Sequence, residues 1–222
     1  ITAPDASSTG PAVPNIAITD NSTLTKTIVS DSYAPANDAT VRVGDTAVYR
    51  LALDLQEGTT RSVAVQDVLP AGLAFVDIVS INGDTAADYT PPASGAGSNF
   101  GYAPVTAASL PTGGQTGALT FTFGDIVNDP AGDPTTDTLV IEYRARVIED
   151  VLAQVDSTTL TNTATLSYVD GAGTPVVAPA RLESSASLTV LQPVMTEPAK
   201  TDRSGRTSPT NVNVATDVMN FQ

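Results

Sequence analysis

Side chains two positions apart on a β-strand share a face, and most of this chain is written in that period of two or in short β-branched runs. TLTKTIV from Thr23, DTAVYRLALDL, RSVAVQDVL, ALTFTFGDI, TDTLVIEYRARVI and TTLTNTATLSYVD are separated by turn-forming residues. With TVRV, LAFVDIVSI and ARLESSASLTVLQP they make about nine strands, spaced by Gly, Pro and acidic loops. Nine strands suit two packed antiparallel sheets, so the expected fold is all-β, an immunoglobulin-like antiparallel β-sandwich. The stretch 82–117, rich in Gly, Pro, Ala and Ser, is expected to be a long irregular insertion or edge.

Composition narrows the function. The chain has no Cys and no His, which excludes disulfides, thiolate metal sites and the commonest general base. A net charge of −14 without any basic cluster argues against nucleic-acid binding. No apolar run reaches the length needed to span a bilayer, so no membrane insertion is expected in this segment. The opening ITAPDASSTG lacks the basic and apolar regions of a signal peptide, as expected of a mature or excised chain. Ordinary enzymatic turnover has few tools here.

Strand faces supply the most informative pattern. The inward set of TLTKTIV is Leu24, Lys26 and Ile28. That of RSVAVQDVL is Val63, Val65, Asp67 and Leu69, and that of LTNTATLSY is Leu160, Asn162, Ala164, Leu166 and Tyr168. A lysine, an aspartate and an asparagine therefore each occupy a core-facing position on a different strand. Burying an unpaired ammonium or carboxylate costs several kcal/mol, so the three should meet. Desolvation lowers a lysine's pKa and raises an aspartate's, giving a nucleophilic amine beside a carboxylic acid. The Lys26 amine can then attack the Asn162 amide carbon while protonated Asp67 hydrogen-bonds the amide oxygen and relays protons to departing ammonia. The product is an internal isopeptide bond, a single self-modification. In the alternative reading Lys26 snorkels to the surface to pair with Asp67, and Asn162 caps a turn.

These residues carry a resemblance. LTKT, then VGDTAVYRLAL, QDVLPAGLAFV, a GDI turn leading into IEYRARV, and LTNTATLSY follow one another over about residues 22–192. In content and order they resemble the isopeptide-forming fimbrial domains and the related conserved-repeat domains of large bacterial and archaeal surface proteins. The resemblance implies that Lys26, Asp67 and Asn162 are that family's reactive Lys, Asp and Asn. It also implies an extracellular, cell-surface setting, with neighbouring copies or tandem repeats of the same protein as partners. The 82–117 segment departs from the pattern.

Internal repetition points the same way. Lys26-Thr27 recurs as Lys200-Thr201, a period of about 174 residues, and Lys26 and Lys200 are the only lysines. Residues 1–21 are accordingly expected to be a linker with the last strand of a preceding repeat. Residues 22–192 are the immunoglobulin-like, isopeptide-type repeat. Residues 193–222 are a linker with the first strands of a following repeat, or strands donated to another subunit.

Other signals are weaker. Asp125, Asn128, Asp129, Asp133 and Asp137 crowd GDIVNDPAGDPTTD and offer oxygen ligands to calcium, the one metal the sequence suggests, with no other cofactor expected. No fixed calcium-loop spacing is present, and the same residue types make an ordinary solvated turn. Tyr89, Phe100 and Tyr102 on the insertion are candidates for a ligand patch or for burial against the sandwich. The leading expectation is a structural repeat of a surface stalk, fibre or fimbria-like filament. An adhesin module that binds glycan or protein through its insertion and loops is the alternative.

Overall fold

The computed structural model describes residues 21–33, 38–83, 100–102, 110–128, 138–149, 157–170, 172–177 and 180–192. Eleven strands run through them: β1 (Thr23–Asp31), β2 (Thr40–Val41), β3 (Thr46–Asp54), β4 (Gly58–Val68), β5 (Leu73–Ile81), β6 (Phe100–Tyr102), β7 (Ala118–Asn128), β8 (Thr138–Val147), β9 (Thr158–Val169), β10 (Pro175–Val177) and β11 (Glu183–Val190). A 3₁₀ turn, Ala180–Leu182, leads into β11. No helix among the described residues is long and apolar enough to cross a membrane.

The strands form two sheets. One has the order β1-β3-β8-β5; the other runs β2-β11-β9-β4-β7-β6, with β10 pairing β9 beside it. Every neighbouring pair is antiparallel except β11 with β2. The all-β sandwich expected from the alternation is the fold observed. The additional strands β6 and β10 are three residues each, too short to show a period.

Alternation sets the core. Along β8, Leu139, Ile141, Tyr143, Ala145 and Val147 are buried while the residues between them are not. Leu51 and Leu53 from β3 lie on the same side, opposite Ile141 and Leu139 in register. The facing sheet contributes Val63 and Val65, Leu119, Phe121 and Phe123, Leu160 and Leu166, and Leu188. Burying a large apolar side chain of this kind contributes about 1.5–3 kcal/mol, so this interior is the main source of stability. On the outer face of the second sheet, hydroxyls pair across strands, Thr161 with Ser187 at 2.9 Å and Thr163 with Ser185 at 2.8 Å. Such pairs favour the β9–β11 register without contributing to the core.

Turn chemistry fixes the ends. Between β2 and β3 the Asp45 carboxylate accepts from the Arg42 amide at 2.8 Å, and the Asp45 amide donates to the Arg42 carbonyl at 3.0 Å. Gly44 supplies the positive φ of 97° that this turn requires. The GDI segment, read from sequence as a turn, is instead a bulge inside β7. Val63 pairs with Gly124 but Ala64 pairs with Thr122, so one residue of β7 is left over. Gly124 takes a φ of 70° there, and the Asp125 carboxylate accepts from the Ser62 amide at 3.0 Å across the bulge.

Candidate functional site

Three strand contexts converge on one point between the sheets. Lys26 stands on β1, at the edge of the first sheet, opposite Leu51 of β3. Its backbone amide donates to the Ser184 hydroxyl on β11 at 2.9 Å, so the two sheets are joined at this seam. Asp67 on β4 and Asn162 on β9 belong to the second sheet. Asp67 pairs with Ala164, which places Asn162 two residues away on the neighbouring strand and on the same inward face. All three residues are buried; Asp67 and Asn162 are fully inaccessible.

The Lys26 ammonium donates to the Asp67 carboxylate. Its Nζ also lies 3.0 Å from the Tyr143 hydroxyl, which in turn donates to Asp67 Oδ2 at 2.7 Å. The Asn162 side-chain nitrogen donates to the same tyrosine oxygen at 2.7 Å. The Lys26 side chain has no exposed surface, so it does not snorkel outward. Asn162 lies inside β9 and caps no turn. Of the alternative reading, the Lys26–Asp67 pair is observed, while the snorkelling lysine and the turn-capping asparagine are not: each residue sits on an inward strand face.

Tyr143 is the member that the strand-face reading did not single out. It belongs to the inward set Ile141, Tyr143, Ala145 of β8, where a tyrosine looks like ordinary aromatic core. A fully buried tyrosine hydroxyl nevertheless needs a partner, and that requirement was the available signal. Its ring stacks on Tyr49, directly opposite in the β3–β8 register, with centroids 5.5 Å apart and planes 20° apart. Phe75 and Phe121 flank it at 6.0 and 5.8 Å. Lys26 Nζ lies 4.8 Å from the Tyr49 ring centroid and 5.4 Å from that of Tyr143, an aromatic cradle that favours the cation when it is charged.

Electrostatics oppose that charge. Burial pushes the Lys26 amine down to about 8, with the Asp67 carboxylate acting in the opposite direction. Burial likewise raises the Asp67 carboxyl above its ordinary value, with Lys26 opposing. Burial, and then the nearby Asp67 charge, hold the Tyr143 hydroxyl well above its usual range, so it keeps its proton at neutral pH. With an amine near 8, roughly a tenth of Lys26 is neutral at pH 7, enough to act as a nucleophile. Two buried oxygens, Asp67 Oδ1 and Asn162 Oδ1, lack a hydrogen-bond partner. Both are acceptors when Asp67 is ionised, and protonating Asp67 turns its carboxyl into a donor.

Two of the five calcium candidates lie among the described residues. Asp125 and Asn128 lie on β7, not in a loop, and face opposite ways. Asp125 is exposed and engaged with the Ser62 amide, whereas Asn128 is buried and donates to the Leu55 carbonyl at 2.9 Å. The odd spacing of the two positions along a strand accounts for this. Asp129, Asp133 and Asp137 lie outside the described residues, as do Tyr89 and Lys200. Among the described residues no cluster of three or more metal-binding side chains occurs.

No family model matches the sequence, and no curated protein matches it. Among solved structures the chain is similar to BcpA, the major pilin subunit of Bacillus cereus, at 15% identity and a TM-score of 0.40, covering 76% of this chain and 39% of that one. It is similar to the full-length major pilin SpaD of Corynebacterium diphtheriae at 11% identity and a TM-score of 0.43, covering 75% of this chain and 35% of that one. A third structure is the collagen binding domain of the Erysipelothrix rhusiopathiae surface protein RspB, at 17% identity and a TM-score of 0.38, covering 65% of this chain and 41% of that one. The chain thus spans less than half the length of each. The likeness is one of fold, an all-β two-sheet sandwich.

Proposed function

We propose that this chain is an extracellular structural repeat of a surface stalk, fibre or fimbria-like filament, covalently locked by an isopeptide bond between Lys26 and Asn162. Neighbouring copies or tandem repeats of the same protein are its partners, and it turns over no external substrate. One observation carries the reading: an amine, a carboxyl and a primary amide share a single buried hydrogen-bond cluster. Among apolar residues such a cluster costs stability as a mere ion pair, because desolvating each ion costs several kcal/mol. As a reaction centre its composition has a purpose.

The neutral Lys26 amine attacks the Asn162 side-chain carbon, and its proton passes to Asp67. The protonated carboxyl donates to the amide oxygen, where negative charge develops. Ammonia leaves, and a secondary amide between Lys26 and Asn162 remains. The bond ties the first strand of one sheet to a late strand of the other. A pull on the chain ends is then carried by a covalent link before the sheets separate, as a filament requires. Intact-mass measurement of the purified full chain tests the reading. A mass lower than that of the sequence by one ammonia is expected, and the unaltered sequence mass overturns it.

A further inference from the structure

The hydrogen bonds of the cluster do not run evenly. Asp67 is bonded to Lys26 and to Tyr143, while the Asn162 nitrogen, the atom that must leave as ammonia, is bonded to the Tyr143 oxygen. The carboxyl can take the amine's proton directly. The hydroxyl placed against the leaving nitrogen is that of the tyrosine, which accepts from it before the reaction starts. We infer that Tyr143 is a catalytic residue of the cross-linking reaction, a proton relay that carries the Asp67 proton to the departing nitrogen of Asn162. This inference rests on the cross-linking reading above.

The chemistry supports a change of direction at that contact. An amide nitrogen has its lone pair delocalised into the carbonyl, so it donates to Tyr143, as the 2.7 Å bond shows. Once the Lys26 nitrogen adds to Cγ, the carbon becomes tetrahedral and that lone pair becomes basic. The bond then reverses: the Tyr143 hydroxyl gives its proton to Nδ2 and takes one from Asp67 across the 2.7 Å contact. The Cγ–Nδ2 bond breaks, ammonia departs, and the new Nζ–Cγ bond remains as an amide. The neutral Lys26 amine loses one proton in all, which passes through Asp67 and Tyr143 to the departing nitrogen, and the oxyanion re-forms the carbonyl as ammonia is expelled. Asp67 and Tyr143 end as they began, and no outside reactant is needed. Because Tyr143 stays protonated at neutral pH and is pinned by stacking on Tyr49, its hydroxyl is available and fixed in place.

The test times the reaction in the full chain, made by cell-free synthesis and quenched into denaturant at intervals, with the loss of ammonia followed by mass. Tyr143→Phe is expected to fold, by circular dichroism, and to lose ammonia on the order of 10²-fold more slowly. Tyr49→Phe removes the other buried hydroxyl of the same ring pair and is expected to slow the loss far less. Equal slowing by the two variants, or a wild-type rate in Tyr143→Phe, overturns the relay while leaving the cross-link intact. A wild-type chain that never loses ammonia overturns the cross-link itself, which is a different outcome. If Tyr143→Phe does not fold, replacing the tyrosines with 3-fluorotyrosine makes the hydroxyl more acidic with little change in size. A rate that moves with that acidity is expected, and an unchanged rate overturns the relay.

Discussion

Lys26 and Asn162 stand on opposite sheets of the sandwich, yet both reach the hydroxyl oxygen of Tyr143, at 3.0 and 2.7 Å. A covalent link at that point would close a loop of about 136 residues, and chain-entropy arithmetic assigns such a closure on the order of 5 kcal/mol. Asn162→Ala, which cannot form the link, should therefore melt about 10–20 °C below the wild type in a domain of this size. Thiol reductants should leave the wild-type transition where it is, since the chain has no cysteine. Scanning calorimetry of both proteins, with and without reductant, checks this; equal melting temperatures would show that nothing covalent is lost.

Asp67 is the member whose loss should be most damaging. Asp67→Ala leaves the Lys26 amine in the core without the carboxylate that supports its charge, and removes the acceptor of the Tyr143 hydroxyl. Breaking a buried pair from one side costs on the order of 3–5 kcal/mol. The mass of this variant should equal its plain sequence. Adding Lys26→Met removes the stranded amine, so the double variant should be more stable to urea than Asp67→Ala alone even though neither is cross-linked. A double variant no more stable than the single one would mean that the buried amine is not the cause.

How much of this was legible in the sequence depends on the residue. Alternation placed Lys26, Asp67 and Asn162 on inward faces because strand period is a local property, and those positions are buried. It could not show that Tyr143 joins them, since a tyrosine among Ile141 and Ala145 satisfies the same pattern as any apolar residue. Which hydroxyl meets which amide is set by the register of β8 against β3 and by the packing of the sheets, both non-local. Gly124 and Asp125 misled for a related reason. Gly-Asp is ordinary turn chemistry, and only the pairing of Val63 with Gly124 and Ala64 with Thr122 shows that the chain continues through a bulge.

That bulge can be tested apart from the cluster. Gly124 has a φ of 70°, and a Cβ added there would meet nothing within 4 Å. The cost of Gly124→Ala is then conformational, not steric, and should be about 1–2 kcal/mol. Urea denaturation should show a lower midpoint with an unchanged slope, and the ammonia loss should persist. A neutral or stabilising effect would contradict the left-handed backbone at this position.

The strongest signature of the unreacted cluster should be its pH dependence, read in Asn162→Ala, where Lys26 stays an amine. Its folded value, pushed down to about 8, lies below the ordinary 10.5, so between those two the unfolded chain binds more protons than the folded one. Stability should therefore rise as pH climbs from about 8 to 10.5. Asp67 acts with the opposite sign: its folded value is raised above 3.8, so its contribution declines as pH rises from there through the raised value. In the cross-linked wild type Lys26 is an amide and does not titrate, and the alkaline gain should be missing. Tyr49 and Tyr143, both raised by burial, erode stability at high pH in either protein, so the difference between the two isolates the lysine. Unfolding free energies measured in urea across pH 7 to 10.5 should converge as the variant gains on the wild type; parallel curves would mean that Lys26 is not held as a depressed amine in the folded chain.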